Sequence, residues 1–377
     1  MNKIYHFSVP GRTELGGNHT DHQHGCVLAA AIDMEMTAQV TLNGINSIRV
    51  RSAGYSPFEI DLLDLAYRES EKGTTAALVR GVAAAFSNHG ARLHGFDMDV
   101  QSNVLPGSGL SSSAAFEVLV GTVLNALFFE NKMAPTEIAR IGQYAENAYF
   151  GKPCGLMDQI ACAMGGLVFI DFEKDSPHVE RLDFDFEQAG YNLCIIDTGA
   201  DHIDLTDEYA AITKELSDIC RFFGKEYLRQ IPEDVFFSTL PQLKKSVSHR
   251  AILRAIHVYQ ENKRVIAQRD ALKAGKIQDY LALVNASGQS SWMYLQNIYP
   301  TGATKQQPMA LALALCDTLL NGCGAYRVHG GGFAGTIQAY IPLTQTEAFV
   351  TGIESTLGFG CCHLLRIHPT EGPRLTP

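Results

Sequence analysis

The sequence predicts an α+β protein built from two domains. Three observations predict it. Apolar and polar residues alternate with period two in the first hundred positions. Long helical apolar spacing dominates the second half, where short strand-like runs return near the end. The chain has 377 residues, too many for one ordinary core at roughly 100–200 residues per domain. A charged, irregular segment at 173–190 separates two strand-like runs and is the expected boundary, giving domains 1–185 and 186–377 with a cleft between them.

Each element has its own justification. Residues 36–42 and 95–101 alternate, with Phe96, Met98 and Val100 on one face, and read as strands. Residues 77–86 and 114–129 are apolar at helical spacing and contain no proline. Pro135 suits the first turn of a further helix reaching about residue 150. Runs at 166–172 and 193–197 read as strands. Helices are expected at 206–222, 248–272, 277–296 and 307–320, then strands at 325–329, 335–342 and 361–367 with a helix near 345–357. Residues 9–25 read as a polar, loop-like stretch.

Composition narrows the function. Hydrophobic residues make up 46% and charged residues 19%, values of an ordinary globular chain. Thirty Lys and Arg against forty Asp and Glu give −10, which repels polyanions, so neither nucleic acid nor an anionic membrane is expected as a partner. No apolar run approaches the roughly eighteen residues of a membrane helix. The first ten residues lack the basic flank and apolar stretch of a signal peptide. Nine cysteines without a C-x-x-C pair read as reduced thiols, and the expected compartment is the cytoplasm.

Four polar or glycine-rich segments carry the chemistry. Residues 104–115 contain Pro106, Gly107, Ser108, Gly109, Leu110, Ser111, Ser112, Ser113 and Ala114 between a strand and a helix. Small residues admit a ligand close to the backbone, and the first-turn N–H groups of the helix favour negative charge. The serines offer caps, donors or a metal ligand. The segment lacks the Gly-Lys-Ser/Thr of a Walker loop and is not a dinucleotide fingerprint; taken alone, an ordinary capped turn reads as well. Residues 327–336 place three consecutive glycines, Gly330 to Gly332, where the backbone must come close to something, or where a hairpin simply turns.

Residues 9–25 gather Arg12, His19 and Asp21 among glycines, a set able to orient a polyhydroxylated ligand through charge-assisted hydrogen bonds. His19, His22 and His24 do not make a metal site, because they lack an i,i+4 pair and a nearby cysteine. Residues 151–159 carry Asp158, either a helix cap or a working carboxylate, after a helix bearing Glu146, either a surface charge or a magnesium ligand.

Together these segments resemble the GHMP kinase superfamily, and within it the galactokinases. Gly11-Arg12 with His19-Thr20-Asp21 is similar to the galactokinase signature, Pro106 to Ala115 to the phosphate loop, Pro153 to Gln159 to the segment of the catalytic aspartate, and Gly330 to Phe333 to the third motif. The resemblance implies a GHMP kinase fold, with an N-terminal domain like ribosomal protein S5 and a ferredoxin-like C-terminal domain. It implies transfer of the ATP γ-phosphate to the anomeric hydroxyl of a galactose-like sugar, with Mg²⁺. Asp158 would be the base or orienting charge, and Arg12 would lie between it and the phosphate. Ser113 and Glu146 match magnesium ligands, and Asn18, His19, Asp21, Gly155, Asp158 and Tyr209 match sugar-contacting positions. The partners implied are the sugar and ATP, and the working unit a monomer.

The chain also departs from the family. Asn18 stands where galactokinases usually carry Glu facing the C6 hydroxyl, and an uncharged amide would repel galacturonate less and tolerate L-arabinose, or simply keep the hydroxyl contact. Thr13-Glu14 replaces an aliphatic-Asn pair, His329 stands where Thr is common, and the double Arg expected after Tyr209 is absent. An intact Ser113-Ala114-Ala115 beside Arg12 and Asp158 favours an enzyme over a silent sugar sensor. The His19–Asp21 and Pro153–Gln159 segments favour this branch over a mevalonate or homoserine kinase.

Overall fold

The computed structural model describes residues 3–105, 108–200, 205–367 and 372–376. Two long strands open the chain, β1 (Ile4–Gly16) and β2 (Cys26–Leu42), followed by β3 (Ser47–Ser52), β4 (Phe58–Asp61), helix α1 (Thr75–Asn88) and β5 (Phe96–Ser102). Helices α2 (Ser112–Phe128), α3 (Pro135–Tyr144) and α4 (Met157–Met164) come next, then β6 (Leu167–Asp171), β7 (His178–Leu182) and β8 (Tyr191–Asp197). The second half is α5 (Thr206–Phe222), α6 (Glu233–Ser238), α7 (Leu240–Leu243), α8 (His249–Lys273), α9 (Ile277–Ser290) and α10 (Pro308–Leu320). It closes with β9 (Ala325–Val328), β10 (Thr336–Pro342), α11 (Thr346–Leu357), β11 (Cys362–Leu365) and β12 (Arg374–Thr376).

The strands form an eight-stranded sheet, with the path β12-β1-β2-β5-β3-β4 and the β6–β7 hairpin branching from β2, and a four-stranded sheet ordered β11-β8-β10-β9. Strand β2 is long enough to pair twice: Cys26 to Ala30 with β6 and Met36 to Leu42 with β5, while β1 runs along its other edge. Only β3 and β5 pair in parallel among the described strands. The chain leaves the first sheet at Leu182 and enters the second at Tyr191, but β12 returns to pair with β1.

Helices α1 to α4 bury their apolar residues against the larger sheet, in a core that includes Val40, Phe96, Met98, Val118, Leu119 and Ile160. A second core joins the two sheets through Leu28, Phe169, Leu193, Val284 and Tyr340. The longest helix, α8, packs against β1, β2, α5 and α9, so one element touches both halves. Its N-cap is Ser248, whose hydroxyl accepts from the Ala251 amide at 3.1 Å.

Three expectations change. Residues 4–16 are a strand and not loop, so Arg12 sits on a sheet. The segment 173–190 contains strand β7, whose charged residues suit a strand paired on one side only. The helices expected to run through 135–150 and 277–296 both finish as π-helical turns, Ala145–Phe150 and Ser291–Leu295, which end at Gly151 and Gln296 in the left-handed conformation. Among the described residues no helix is long and apolar enough to cross a membrane. All nine cysteines are free thiols; Cys162, Cys194 and Cys316 are buried and Cys154 is half-buried.

Candidate active site

Arg12 reaches the site from a bulge in β1. The register against β2 shifts between Pro10 and Arg12, and the Arg12 amide donates to the Leu110 carbonyl at 3.2 Å. Its guanidinium grips Asp158 with two hydrogen bonds, Nε to Oδ1 at 2.8 Å and Nη2 to Oδ2 at 2.7 Å, and Nη1 donates to the Gly109 carbonyl. Ser111 Oγ adds a bond to Asp158 Oδ2 at 2.6 Å. Burial by itself would raise the Asp158 carboxyl, but the Arg12 charge and the donated hydrogen bonds outweigh it and hold the group below its ordinary value. Asp158 is the second residue of α4 and caps nothing. The carboxylate is 31% exposed while Arg12 is 7% exposed, so the open side of the pair is the acid.

The phosphate-loop segment touches both members of the pair, Arg12 through Gly109 and Leu110 and Asp158 through Ser111. Pro106 and Gly107 fall outside the described residues. Of the remainder, Ser108, Gly109 and Leu110 have their carbonyls tied back, to Thr336 Oγ1 at 2.9 Å, to the Arg12 side chain and to the Arg12 amide. Ser111 is the residue before α2, in the left-handed region at φ 59°, and makes no capping bond because its hydroxyl serves Asp158. Ser112, Ser113 and Ala114 form the first turn of α2. Ser112 and Ser113 also line a cavity of about 380 Å³ walled by Met36, Tyr55, Leu78 and Phe116.

One turn along α2 from Ser113, Glu117 is fully buried. The Gln159 side-chain amide donates to Glu117 Oε2 and to Glu146 Oε2, both at 3.0 Å, so one NH₂ group bridges two buried carboxylates. Burial first, and the neighbouring Glu146 charge second, push the Glu117 carboxyl well above its ordinary value. Among the described residues Glu117 Oε1 has no hydrogen-bond partner, and Glu146 Oε1 faces the exposed Lys152 ammonium at 3.6 Å.

The polar stretch after β1 is a compact turn. Asp21 opens a short 3₁₀ turn, Asp21–Gln23, and its carboxylate accepts from the His22 amide at 2.8 Å. Burial raises the Asp21 carboxyl despite that bond. His19, at φ 59°, donates from Nε2 to the Gly331 carbonyl at 3.0 Å, leaving Nδ1 to accept from His22 Nε2 at 3.2 Å. Gly155 faces Asp21 closely enough that a Cβ there would lie 1.9 Å from Asp21 Oδ2. Asp21, Gly155 and Asp158 are thereby brought to one place.

Asn18 is placed differently from the expectation that it faces a sugar hydroxyl. It is 1% exposed, and both ends of its amide are used inside the protein. Nδ2 donates to Gly330 O at 2.6 Å, while Oδ1 accepts from Asn297 at 2.9 Å and Ser291 at 3.3 Å. Asn18 braces the triple-glycine turn from behind. Tyr209 braces it from α5: its hydroxyl donates to Gly332 O at 2.7 Å and its ring meets Phe333 edge-on. The close approach expected at the glycines is made by the protein itself, since a Cβ on Gly331 would lie 2.6 Å from the Tyr209 ring and one on Gly332 2.2 Å from Asn297 O.

Residues that sequence reading missed lie on α8 and β10. His257, Glu261 and Asn262 hold the turn's backbone, accepting or donating at Asn18 O (3.0 Å), Gly17 N (3.2 Å) and Cys26 N (2.9 Å). The His257–Glu261 spacing of i,i+4 puts both on one helix face and was the available signal. On β10, Thr336 Oγ1 donates to the Ser108 carbonyl at 2.9 Å.

The chain is similar to known proteins along nearly its whole length. The N-terminal domain of GHMP kinases matches residues 77–166, and the galactokinase galactose-binding signature matches residues 2–42. A galactokinase of Streptomyces coelicolor is 29% identical over 376 residues, covering 98% of this chain and 93% of the relative. The crystal structure of Lactococcus lactis galactokinase complexed with galactose superposes with a TM-score of 0.83 at 24% identity, over 99% of this chain and 95% of the other. An L. major mevalonate kinase in complex with R-mevalonate is more distant, with a TM-score of 0.64 at 16% identity over 96% and 95% of the two chains. The fold is that of the GHMP kinases, and residues 77–166 are similar to the N-terminal domain of that superfamily. Within that fold, the N-terminal signature and the full-length relative are both galactokinase matches, so the chain is similar to the galactokinases along nearly its whole length.

Proposed function

We propose that the protein transfers the γ-phosphate of ATP to the anomeric hydroxyl of D-galactose, giving galactose 1-phosphate and ADP. The observation that carries this reading is the Arg12–Asp158–Ser111 constellation. A carboxylate held ionised lies between a phosphate loop and the Asp21–Gly155 pocket. Asp158 orients the anomeric hydroxyl and takes its proton as the oxygen attacks. Arg12 keeps Asp158 charged and faces the phosphate in transit. Phosphoryl transfer asks mainly for alignment and charge neutralisation, which fixed donors of this kind supply. His19, Asp21 and Gly155 shape the sugar pocket, Tyr209 supports its far wall, and Asn18 acts from behind that wall.

The cavity beside the first turn of α2 suits the nucleoside end of ATP, with apolar walls for the base and Ser112 and Ser113 toward the phosphates. Ser113 and Glu146 offer the hard oxygen donors a magnesium ion prefers. The residues present fit the ion, which when bound neutralises charge on the β- and γ-phosphates. Lys152, exposed and only 3.6 Å from Glu146 Oε1, is free to swing aside. A monomeric cytoplasmic enzyme suits a chain whose nine cysteines are all free thiols.

With its amide spent inside the protein, Asn18 gives no ground for expecting a sugar altered at C6 in place of galactose. The test is ADP release by purified protein with ATP and Mg²⁺ across D-galactose, D-galacturonate, L-arabinose, N-acetylgalactosamine and D-glucose. Turnover led by galactose is expected. Turnover led by galacturonate or arabinose would reassign the substrate, and silence on every sugar with ATP still bound would make the protein a sensor.

A further inference from the structure

We propose that His329 is a positioning residue that sets the phosphate loop against Arg12, a role that rests on the kinase reading above. The argument begins with a buried chain of hydrogen bonds that runs in one direction. Gln338 Nε2 donates to Thr13 Oγ1 at 3.2 Å, and Thr13 Oγ1 lies 3.0 Å from His329 Nε2. His329 Nδ1 lies 2.9 Å from Thr336 Oγ1, and Thr336 Oγ1 donates to the Ser108 carbonyl at 2.9 Å. Every side chain from Gln338 to Thr336 is within 2% of full burial, and Ser108 is 7% exposed.

The directions follow from donor counting. Thr336 has one hydroxyl proton and spends it on Ser108 O, so its oxygen can only accept from His329. The proton of the neutral imidazole is therefore on Nδ1. Nε2 is left as an acceptor, and it is offered the Thr13 hydroxyl and, at 3.4 Å, the Glu14 amide. Burial, then the nearby Arg12 and Arg327 charges, hold this imidazole neutral, as the arrangement requires.

The consequence is geometric. Thr13 and Glu14 continue the strand that carries Arg12, Thr336 belongs to β10 of the other sheet, and Ser108 belongs to the phosphate loop. One ring joins all three. It also packs against the loop directly, since a Cβ on Gly109 would lie 3.0 Å from His329 Nδ1. Gly109 O is the acceptor of Arg12 Nη1, so the ring and the guanidinium hold the same loop residue from two sides. The Thr13 and His329 departures noted in the sequence are thus the two ends of one contact.

The test compares His329→Leu, His329→Asn and His329→Gln by calorimetric binding of ADP and by the KM values for ATP and galactose. Leu cannot donate to Thr336, and a roughly 10-fold or larger loss confined to the nucleotide is expected, with the galactose KM within twofold of wild type. Asn carries an NH₂ at the place of Nδ1 and is expected to recover most of that loss, whereas Gln reaches only the Nε2 position and is not. Equal behaviour of Asn and Leu, or a loss shared equally by ATP and galactose, would overturn the assignment. Should His329→Leu fail to fold, Thr336→Val breaks the link at its other end and must reproduce the nucleotide-specific loss. Wild-type protein that binds ADP but phosphorylates no sugar would refute the kinase reading alone, and the ADP affinities would still decide the role of His329.

Discussion

Arg12 and Asp158, 146 positions apart in the chain, meet through two parallel hydrogen bonds of 2.8 and 2.7 Å. A guanidinium fork on a carboxylate fixes both distance and plane, which a lysine at position 12 would not do. The same arginine reaches the phosphate-loop carbonyl of Gly109, so the acid, the cation and the loop share one rigid frame.

Asp158→Asn and Arg12→Gln should each lower kcat by about 100-fold or more, while circular dichroism and melting show a folded protein. Asp158 titrates below its ordinary value because of Arg12, so the native enzyme should show no loss of kcat from this group until the pH falls below roughly 4. Removing the arginine leaves burial as the main influence, and the residual activity of Arg12→Gln should then fall off at higher pH than in the native enzyme. A pH–rate profile from 4 to 8 measures this, and undiminished turnover by either variant would refute the assigned roles.

Gly155→Ala tests the sugar pocket. The new Cβ would fall 1.9 Å from Asp21 Oδ2, so the carboxylate has to rotate away. The clash is with the end of a side chain and not with backbone, so the fold should survive. The galactose KM should rise by about 10-fold or more, and ADP affinity should stay unchanged, because the nearest atoms to the new Cβ all belong to Asp21 and none to the phosphate loop. Binding of galactose and ADP, each followed separately by calorimetry, distinguishes this from a general loss of stability.

Sequence reading recovered the elements whose apolar spacing is local, such as α1, α5, α8, β5 and β10. It missed β1 because Arg12, Thr13 and Glu14 look like solvated residues until their partners are known. Those partners are Asp158, His329 and Arg327, which lie 146, 316 and 313 positions away. Hydropathy cannot register a charge buried against a distant opposite charge. The functional loops were legible because glycine and serine accumulate there. The packing behind them was not: Asn18 was assigned outward by analogy, whereas Asn297, Ser291 and Gly330 O claim its amide. Three of the eight described non-glycine residues with positive φ, His19, Ser111 and Phe333 at φ 59°, were equally invisible. Each marks one of the loops, in a conformation costing about 1–2 kcal/mol that only the surrounding contacts can hold.

Acid should loosen the turn after β1 before it affects the sheets. His22 is half-buried and held neutral with its value lowered to about 3, by desolvation first and His19 second. His257 is lowered to about 4 by burial, against the opposing pull of Glu261. Both take up a proton on unfolding near pH 6.5 that the native state refuses, so stability falls as the pH drops below that value. The slope is at most about 1.4 kcal/mol per pH unit for each histidine. Glu261 has the opposite chemistry and the same direction. Burial would raise it, but Arg264, His257 and Arg327 bring it down to about 2. Its contribution is complete above about 4.5 and is lost as the pH falls toward 2, amounting to something on the order of 3 kcal/mol at neutrality. Urea unfolding of the native protein, His257→Gln and Glu261→Gln at pH 7, 6, 5 and 4 separates the two effects. His257→Gln should show a shallower slope between pH 6.5 and 4.5, since one of the histidines that drive it is gone while His22 and His329 remain. Glu261→Gln should be least stable relative to the native protein at pH 7, and the gap should narrow only below pH 4.5. A gap that already closes between pH 7 and 5 would mean that Glu261 is not held as an ion by α8 and β9, and that the turn carrying His19 and Asp21 is anchored by other contacts.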